Sequence, residues 1–116
     1  MNNLLILEDN SFVRNNIFDA IKDTRSVGEI QQTESLKEAI SLLDDTNFEL
    51  IILDIKLPDG YGIELLKVLK ERQIKTKVFV FSMSTELKKT CLKYGAEAFF
   101  DKAKDFNKLV EAIKKV

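Results

Sequence analysis

Histidine and tryptophan are absent from this 116-residue chain, and cysteine and proline occur once each, at Cys91 and Pro58. Without histidine the chain cannot be a histidine-triad hydrolase, a histidine-ligated zinc enzyme or a carrier of phosphohistidine. A single cysteine excludes an internal disulfide and a cysteine-cluster metal site, and it indicates a reducing cytoplasm. Any chemistry must therefore rest on carboxylates, hydroxyls and lysines.

Long apolar runs are also missing, because no stretch approaches the roughly 20 residues of a membrane span. Leu4–Leu7 is too short for the core of a signal peptide and is followed by acids. The formal net charge is −1, with a mild excess of acids in the first half of the chain, which is too little asymmetry to predict nucleic-acid binding. We therefore expect one domain over residues 1–116, without membrane or nucleic-acid contacts of its own.

Short apolar runs alternate with amphipathic segments from end to end. Five runs are typical of strands in a parallel sheet: Leu4–Leu7, Val27–Gln31, Leu50–Leu53, Val78–Phe81 and Ala98–Phe100. Val27–Gln31 is the most polar of them, which favours a position nearer an edge of the sheet. Each run is followed by apolar residues at helical spacing. These stripes are Val13/Ile17/Ala20/Ile21, Leu36/Ala39/Ile40/Leu43, Ile63/Leu66/Leu69, Leu87/Cys91/Tyr94 and Phe106/Leu109/Val110/Ile113.

The residues at the helix ends agree with this pattern. Asn10 or Ser11 can cap the first helix, Thr33 or Ser35 can start the second, and Gly95 can end the fourth. Repeated βα units of this size predict a three-layer α/β fold, with a five-stranded parallel sheet between helices on both faces. The flavodoxin-like strand order 2-1-3-4-5 suits so short a chain.

Polar residues stand where the predicted strands end. Glu8 and Asp9 follow the first strand, Asp54 the third, Ser82 the fourth and Lys102 the fifth. Because open α/β sheets bind ligands at this edge, we expect the three carboxylates to converge there. Their repulsion favours a bound cation, and an all-oxygen ligand set suits Mg²⁺. A lysine, a hydroxyl and an ionised aspartate are the groups that would receive a phosphoryl group.

With these residues in place, the chain resembles the receiver (CheY-like) domain of two-component response regulators from Leu4 to the C-terminus. The residues that carry the resemblance are Glu8-Asp9, Leu53-Asp54-Ile55-Lys56-Leu57-Pro58-Asp59-Gly60, Ser82 after Val78–Phe81, and Gly95-Ala96 before Phe99-Phe100-Asp101-Lys102. The resemblance implies that Asp54 accepts a phosphoryl group from a sensor histidine kinase or a histidine phosphotransfer protein. It also implies that Glu8, Asp9, Asp54 and the backbone carbonyl of Lys56 bind Mg²⁺.

The same resemblance implies a switch. Lys102 would pair with the phosphoryl oxygens, Ser82 would hydrogen-bond the phosphoryl group, and Phe99 would rotate inward as the switch aromatic. Family members use the face of helix 4, strand 5 and helix 5 for dimerisation or partner docking. The expected role is that of a phosphoacceptor, with at most slow self-dephosphorylation, rather than that of an enzyme.

Four positions depart from the family pattern. Phe99 has no hydroxyl, so any rotation of its ring would be signalled by packing alone. Glu8 replaces the commoner aspartate, and its extra methylene is expected to move the carboxylate outward. Met83 stands where a small residue is usual, and its long thioether is expected to cover the pocket. Ala103 follows Lys102 where proline is frequent, so the cis peptide bond of the family, if kept, would be a non-proline one.

The same residues also allow other functions to be considered. Met83 and Glu8 allow a phosphorylation-independent scaffold that binds partners constitutively. A phosphatase of the haloacid dehalogenase type uses Asp-x-Asp, but the second position after Asp54 is Lys56. We expect either a stand-alone receiver or the N-terminal piece of a longer regulator. The run from Phe99 to Phe106 resembles receivers that precede helix-turn-helix domains, so a DNA-binding transcriptional regulator is one candidate for the longer protein.

Overall fold

Strands and helices alternate along residues 2–116, which are the residues that the computed structural model describes. In chain order the elements are β1 (Asn2–Leu7), α1 (Ser11–Ile21), β2 (Val27–Thr33), α2 (Leu36–Asp45), β3 (Leu50–Leu53), β4 (Lys56–Leu57), β5 (Gly60–Tyr61), α3 (Ile63–Glu71), β6 (Lys77–Ser82), a 3₁₀ turn (Thr85–Leu87), α4 (Lys88–Lys93), β7 (Ala98–Asp101) and α5 (Phe106–Lys114). None of these helices has the length and apolar content that crossing a bilayer requires.

The main sheet is five-stranded and parallel, in the order β2-β1-β3-β6-β7. Strands β4 and β5 form a separate antiparallel hairpin of two residues a side around the Pro58–Asp59 turn. Counted without this hairpin, the sheet strands follow the predicted order 2-1-3-4-5, so the predicted fold class is confirmed. The polar second strand is an edge strand, also as predicted.

Two apolar layers cover the sheet, one on each face. Leu5, Leu7 and Ile51 pack with α2, α3 and the buried Cys91 of α4. Leu4 and Ile6, which alternate with them, pack with α1 and α5 on the opposite face. Because both faces are buried, the central strands are continuous apolar runs rather than alternating ones.

The caps of the first two helices settle choices that the sequence left open. The Asn10 side chain accepts a hydrogen bond from Val13 N at 3.1 Å, so Asn10 is the N-cap of α1. Ser35 Oγ accepts one from Glu38 N at 3.1 Å at the start of α2. Thr33 instead belongs to β2, which is two residues longer than the predicted Val27–Gln31.

The fourth helix differs most from its sequence pattern. The predicted stripe Leu87/Cys91/Tyr94 is divided between a 3₁₀ turn, the six-residue α4 and the residue after it, and only Cys91 is fully buried. Gly95 ends the segment with φ +104°, a conformation that residues with a Cβ rarely adopt. A stripe of one apolar residue per turn therefore supports only a short helix here.

Candidate functional site

Three carboxylates meet at the carboxyl edge of the sheet. Strands β1 and β3 pair with Leu7 opposite Leu53, so Glu8 and Asp54 leave the sheet side by side. Asp54 N donates to the carbonyl of Leu7 at 2.9 Å and holds the two strand ends together. One oxygen from each of Glu8, Asp9 and Asp54 lies within 4.8 Å of the others. The structure thus brings together the three acids that the sequence placed at this edge.

Lys102 closes the cluster from the end of β7. Its Nζ lies 2.8 Å from Glu8 Oε1 and 3.1 Å from Asp54 Oδ2. Backbone donors hold the other oxygens, because Asn10 N donates to Glu8 Oε2 at 3.1 Å and Ile55 N donates to Asp54 Oδ1 at 2.8 Å. Glu8 and Asp54 are 2% and 6% exposed, so the surrounding protein shields both acids of this ion-pair network almost completely from water.

Burial dominates the electrostatics of the buried acids. It raises the pKa of Glu8 from 4.5 to about 7, with a further rise from the neighbouring Asp54 and an opposing effect of the hydrogen bond from Lys102. Burial likewise raises the pKa of Asp54, against the charge of Lys102 and its hydrogen bonds. For Lys102 burial lowers the pKa, but its contacts with the two carboxylates outweigh burial and the net pKa is raised. The lysine therefore stays charged while Glu8 titrates near neutrality in the metal-free protein.

The donor set fits a small dication. Oxygen ligands on Mg²⁺ stand about 3 to 4 Å apart around the ion, close to the spacing of these three acids. A cleft of about 330 Å³ opens beside them and is lined by Glu8, Asp9, Asn10, Val13, Asp54, Lys56, Ser82, Met83, Ser84 and Lys102. Asp9 is exposed on this cleft, which leaves its carboxylate accessible to an ion that keeps several of its waters.

Glu8 does not take the position expected from its length. We expected the extra methylene to move the carboxylate outward, but the side chain turns inward and pairs with Lys102. The reason is that the ammonium of Lys102 and the backbone N–H of Asn10 offer two donors at the buried end of the cleft. Glu8 could bind a metal directly only through an oxygen that already accepts a hydrogen bond, from Lys102 or from Asn10 N.

Ser82 and Phe99 lie on neighbouring strands beside this cluster. Ser82 is 1% exposed, and its Oγ accepts a hydrogen bond from Ser84 N at 3.0 Å. Its backbone pairs with Asp101, and Phe99 pairs with Val80, so Phe99 and Ser82 face the same side of the pleated sheet. Phe99 is half-buried against the apolar layer that contains α4 and does not line the cleft.

Two departures from the family pattern have simple structural outcomes. Met83 lines the cleft and is 64% exposed, so its thioether stands at the rim between the cleft and solvent. No cis peptide bond occurs within residues 2–116, and the Lys102–Ala103 bond is therefore trans.

Gly62 was missed in the sequence and is needed for close packing under Asp54. A Cβ at this position would collide with the backbone carbonyl oxygen of Asp54, and Gly62 N donates to the carbonyl of Ile55 at 2.7 Å. The second glycine of Gly60-Tyr61-Gly62 was the available signal. A glycine in a sequence does not show which backbone segment packs against it, so the contact between Gly62 and Asp54 could not be predicted.

Asp59, for which the sequence predicted no separate role, connects the loop after Asp54 to the start of α2. Its carboxylate accepts hydrogen bonds from Lys37 N at 2.9 Å and Leu36 N at 2.8 Å, at the N-terminus of α2. These two bonds lower the pKa of Asp59. The loop after Asp54 is thus fastened to α2.

The chain matches the family model of the response regulator receiver domain over residues 4–114. It is 29% identical to the Fimbriae Z protein of Salmonella typhimurium over 97% of this chain and 55% of that protein. It is 27% identical to the chemotaxis protein CheY of Listeria monocytogenes, over 97% of this chain and 95% of CheY. The chain thus spans about half the length of the Fimbriae Z protein but nearly all of a CheY.

A solved structure shows the same architecture. The crystal structure of a DNA-binding response regulator of the LuxR family from Staphylococcus aureus superimposes with a TM-score of 0.88, at 25% identity, over 99% of this chain and 98% of that one. The matched family model extends over both strand ends that carry the acids and over Lys102. From sequence, fold and site together, the chain belongs to the response regulator receiver domain family.

Proposed function

We propose that Asp54 accepts a phosphoryl group in a Mg²⁺-dependent reaction. The observation that carries this proposal is the convergence of three carboxylates and one ammonium at an open cleft, with the Asp54 oxygens shared between Lys102 and a backbone N–H. A carboxylate that lines a cleft, with a lysine on one side and a bound cation on the other, is the arrangement that attack on phosphorus requires.

The transfer exchanges one bond for another. An oxygen of the Asp54 carboxylate attacks phosphorus of a phosphohistidine, an acyl phosphate forms, and the phosphorus–nitrogen bond breaks with its electron pair going to the histidine nitrogen. The chain has no histidine of its own, so the donor is a second protein, a sensor histidine kinase or a histidine phosphotransfer protein. We place this exchange in the cytoplasm, because a chain with one cysteine suits a reducing compartment.

The surrounding residues neutralise charge during that step. Glu8, Asp9, Asp54 and the backbone carbonyl of Lys56 would hold Mg²⁺, which reduces the repulsion between the anionic nucleophile and the anionic donor. Lys102 lies 3.1 Å from Asp54 Oδ2 and is placed to donate to an oxygen of the incoming phosphoryl group. Its attraction to Asp54 before transfer would then become attraction to the phosphoryl oxygens after it.

The response would start at Ser82. Its Oγ now accepts from Ser84 N, and its own proton is available for a phosphoryl oxygen next to it. Movement of the loop after β6 would free space on the face that Ser82 shares with Phe99. We infer that the signal leaves through α4, the edge strand β7 and α5, either to a second copy of the chain or to a partner. In a longer regulator, that face would act on an output domain.

The test is labelling of the protein by acetyl phosphate with and without Mg²⁺. The wild-type protein should gain one phosphoryl group only when Mg²⁺ is present, and Asp54→Asn should gain none while keeping its circular dichroism spectrum. Asp45→Asn, which makes the same change at an exposed position at the end of α2, is the matched control and should still be labelled.

The outcomes separate the functions clearly. Undiminished labelling of Asp54→Asn would refute the assignment of the phosphoacceptor. Wild-type protein that is not labelled, and whose NMR spectrum does not change with beryllofluoride and Mg²⁺, would favour a phosphorylation-independent scaffold instead.

A further inference from the structure

Arg14, in the first half of α1, makes a short contact with the loop that carries the acidic pair. Its Nη1 donates to the backbone carbonyl of Glu8 at 2.7 Å, and the side chain is only 18% exposed. The nearest carboxylate, that of Glu34, lies 4.0 Å away and is 69% exposed, so this ion pair is weak by comparison. The guanidinium is therefore committed to the carbonyl, in a hydrogen bond strengthened by its charge.

We propose that Arg14 is a positioning residue for the metal site, which fixes the direction in which the Asp9 carboxylate leaves the backbone. This inference rests on the proposed Mg²⁺-dependent function and adds to it a residue that touches neither the metal nor the phosphoryl group. Its basis is the peptide unit that joins Glu8 to Asp9.

That peptide unit is planar, so the carbonyl of Glu8 and the N–H of Asp9 rotate together. Holding the carbonyl fixes the plane, and the plane sets where the Cα and Cβ of Asp9 point. The other side of Glu8 is fixed too, because Glu8 N donates to the carbonyl of Thr33 at 3.0 Å. Glu8 is thus held at its N–H, its carbonyl and both carboxylate oxygens.

Asp9 itself has no comparable support. Within residues 2–116 no hydrogen bond or ion pair engages its carboxylate, and the residue is exposed. Its position therefore depends on the backbone on either side. On the far side Asn10 is fixed as the N-cap of α1, and on the near side the Glu8 carbonyl is fixed by Arg14. Without Arg14 the peptide plane is free to turn, and the carboxylate would have to be ordered at the moment of metal binding.

A purely electrostatic effect of Arg14 and a positioning role predict opposite changes in Mg²⁺ affinity when Arg14 is lost. The proposal can therefore be tested by measuring that affinity. Removal of a positive charge near a cation site by itself strengthens the binding of Mg²⁺. Removal of a group that orients a ligand residue weakens it, in typical cases by roughly 10-fold to 100-fold. The direction of the change in affinity therefore decides between a bystander charge and a positioning role.

The experiment is a calorimetric titration of the metal-free protein with Mg²⁺, together with the carbonyl ¹³C shift of Glu8. Arg14→Met should weaken Mg²⁺ binding roughly tenfold or more and move the Glu8 carbonyl shift. Arg14→Lys, which keeps a charged donor, should restore most of the affinity. Arg72→Met is the matched control, because Arg72 pairs with Asp44 between α2 and α3 at 2.9 Å, and its loss should leave the Mg²⁺ affinity unchanged.

Unfolding by urea, measured for each variant, separates loss of fold from loss of affinity. Equal or tighter Mg²⁺ binding by folded Arg14→Met would overturn the proposal, as would Arg14→Lys binding no better than Arg14→Met. If Arg14→Met does not fold, Arg14→Gln, which keeps a shorter and neutral donor, takes its place, and Mg²⁺ binding by folded Arg14→Gln as tight as that of wild type overturns the proposal. Failure of wild-type protein to bind Mg²⁺ would instead refute the metal site itself.

Discussion

The two ends of the parallel sheet differ sharply in what they bury. At the carboxyl end, Glu8, Thr33, Asp54, Ser82 and Ser84 are all buried, and within residues 2–116 these are the only buried polar or charged side chains. At the amino end the polar contacts lie at exposed or half-buried positions, such as Glu49 Oε2 accepting from Asn3 N at 2.7 Å and Asn2 Nδ2 donating to Val116 O at 2.8 Å. One edge of the sheet thus carries a charge cluster that a stable fold does not need.

The difference shows which interactions serve the fold and which serve the site. Burying carboxylates costs free energy, as the raised pKa values of Glu8 and Asp54 show. The apolar layers on both faces supply the stability that offsets this cost. In the function that we propose, an arriving cation and phosphoryl group would offset the cost of burying this cluster.

Removing the cation from the cluster should have the largest effect. Lys102→Met leaves two buried acids without their ammonium partner, and breaking a buried ion pair costs about 3 to 5 kcal/mol. We expect a loss near the lower value in the free energy of unfolding at pH 8 without metal, because protonation of Glu8 limits the cost. The same variant should bind Mg²⁺ more tightly than wild type, because the competing positive charge is gone. Urea unfolding and calorimetry measure the two effects.

Lys108→Met provides the matched control for this variant. Lys108 also pairs with an acid, Asp105, but at 3.8 Å and with 79% exposure, so its loss should cost less than about 1 kcal/mol and leave Mg²⁺ affinity unchanged. Equal destabilisation by the two substitutions would show that burial of the cluster adds nothing to the free-energy cost of losing its lysine.

The pH dependence of stability should reveal Glu8. Its pKa rises from 4.5 to about 7 on folding, so the folded state binds more protons than the unfolded state between these values. Stability from this group is complete below pH 4.5 and is lost as pH rises through 7, a difference of about 3 kcal/mol. Urea unfolding of Glu8→Gln without metal should lack this slope relative to wild type from pH 5 to 8. Parallel pH profiles for the two proteins would contradict the raised pKa.

The fold could be predicted because its signals are local. Apolar runs such as Leu50–Leu53 are long enough to identify strands, and the helical stripes between them fix the βα order. The weakest stripe corresponds to the least regular helix, since its one fully buried residue lies in the six-residue α4, which a 3₁₀ turn precedes. The hairpin β4–β5 was not predicted, because strands of two residues leave no periodicity to detect.

The site was predictable as a set of residues but not as a geometry. Strand ends brought Glu8, Asp9, Asp54 and Lys102 to one edge, and the structure places them together. Side-chain direction depends on donors from elsewhere in the chain, so the inward turn of Glu8 could not be anticipated. Arg14 gave no signal either, because its role depends on which side of α1 faces the carbonyl of Glu8.

Substitution of exposed acids at the two ends of the sheet should have the smallest effect on stability. It also gives the most direct comparison of Mg²⁺ binding at the two edges. Asp9→Ala and Glu49→Ala remove the same charge from exposed positions, one at each edge. Asp9→Ala should change the free energy of unfolding of the metal-free protein by only about 0.5 kcal/mol. Glu49→Ala should cost about 1 kcal/mol, because it also loses the hydrogen bond from Asn3 N. Their Mg²⁺ affinities should differ strongly, with Asp9→Ala weakened and Glu49→Ala the same as wild type. If both variants lost affinity equally, Mg²⁺ would be responding to the net charge of the chain, and the buried cluster would be a structural feature rather than a metal site.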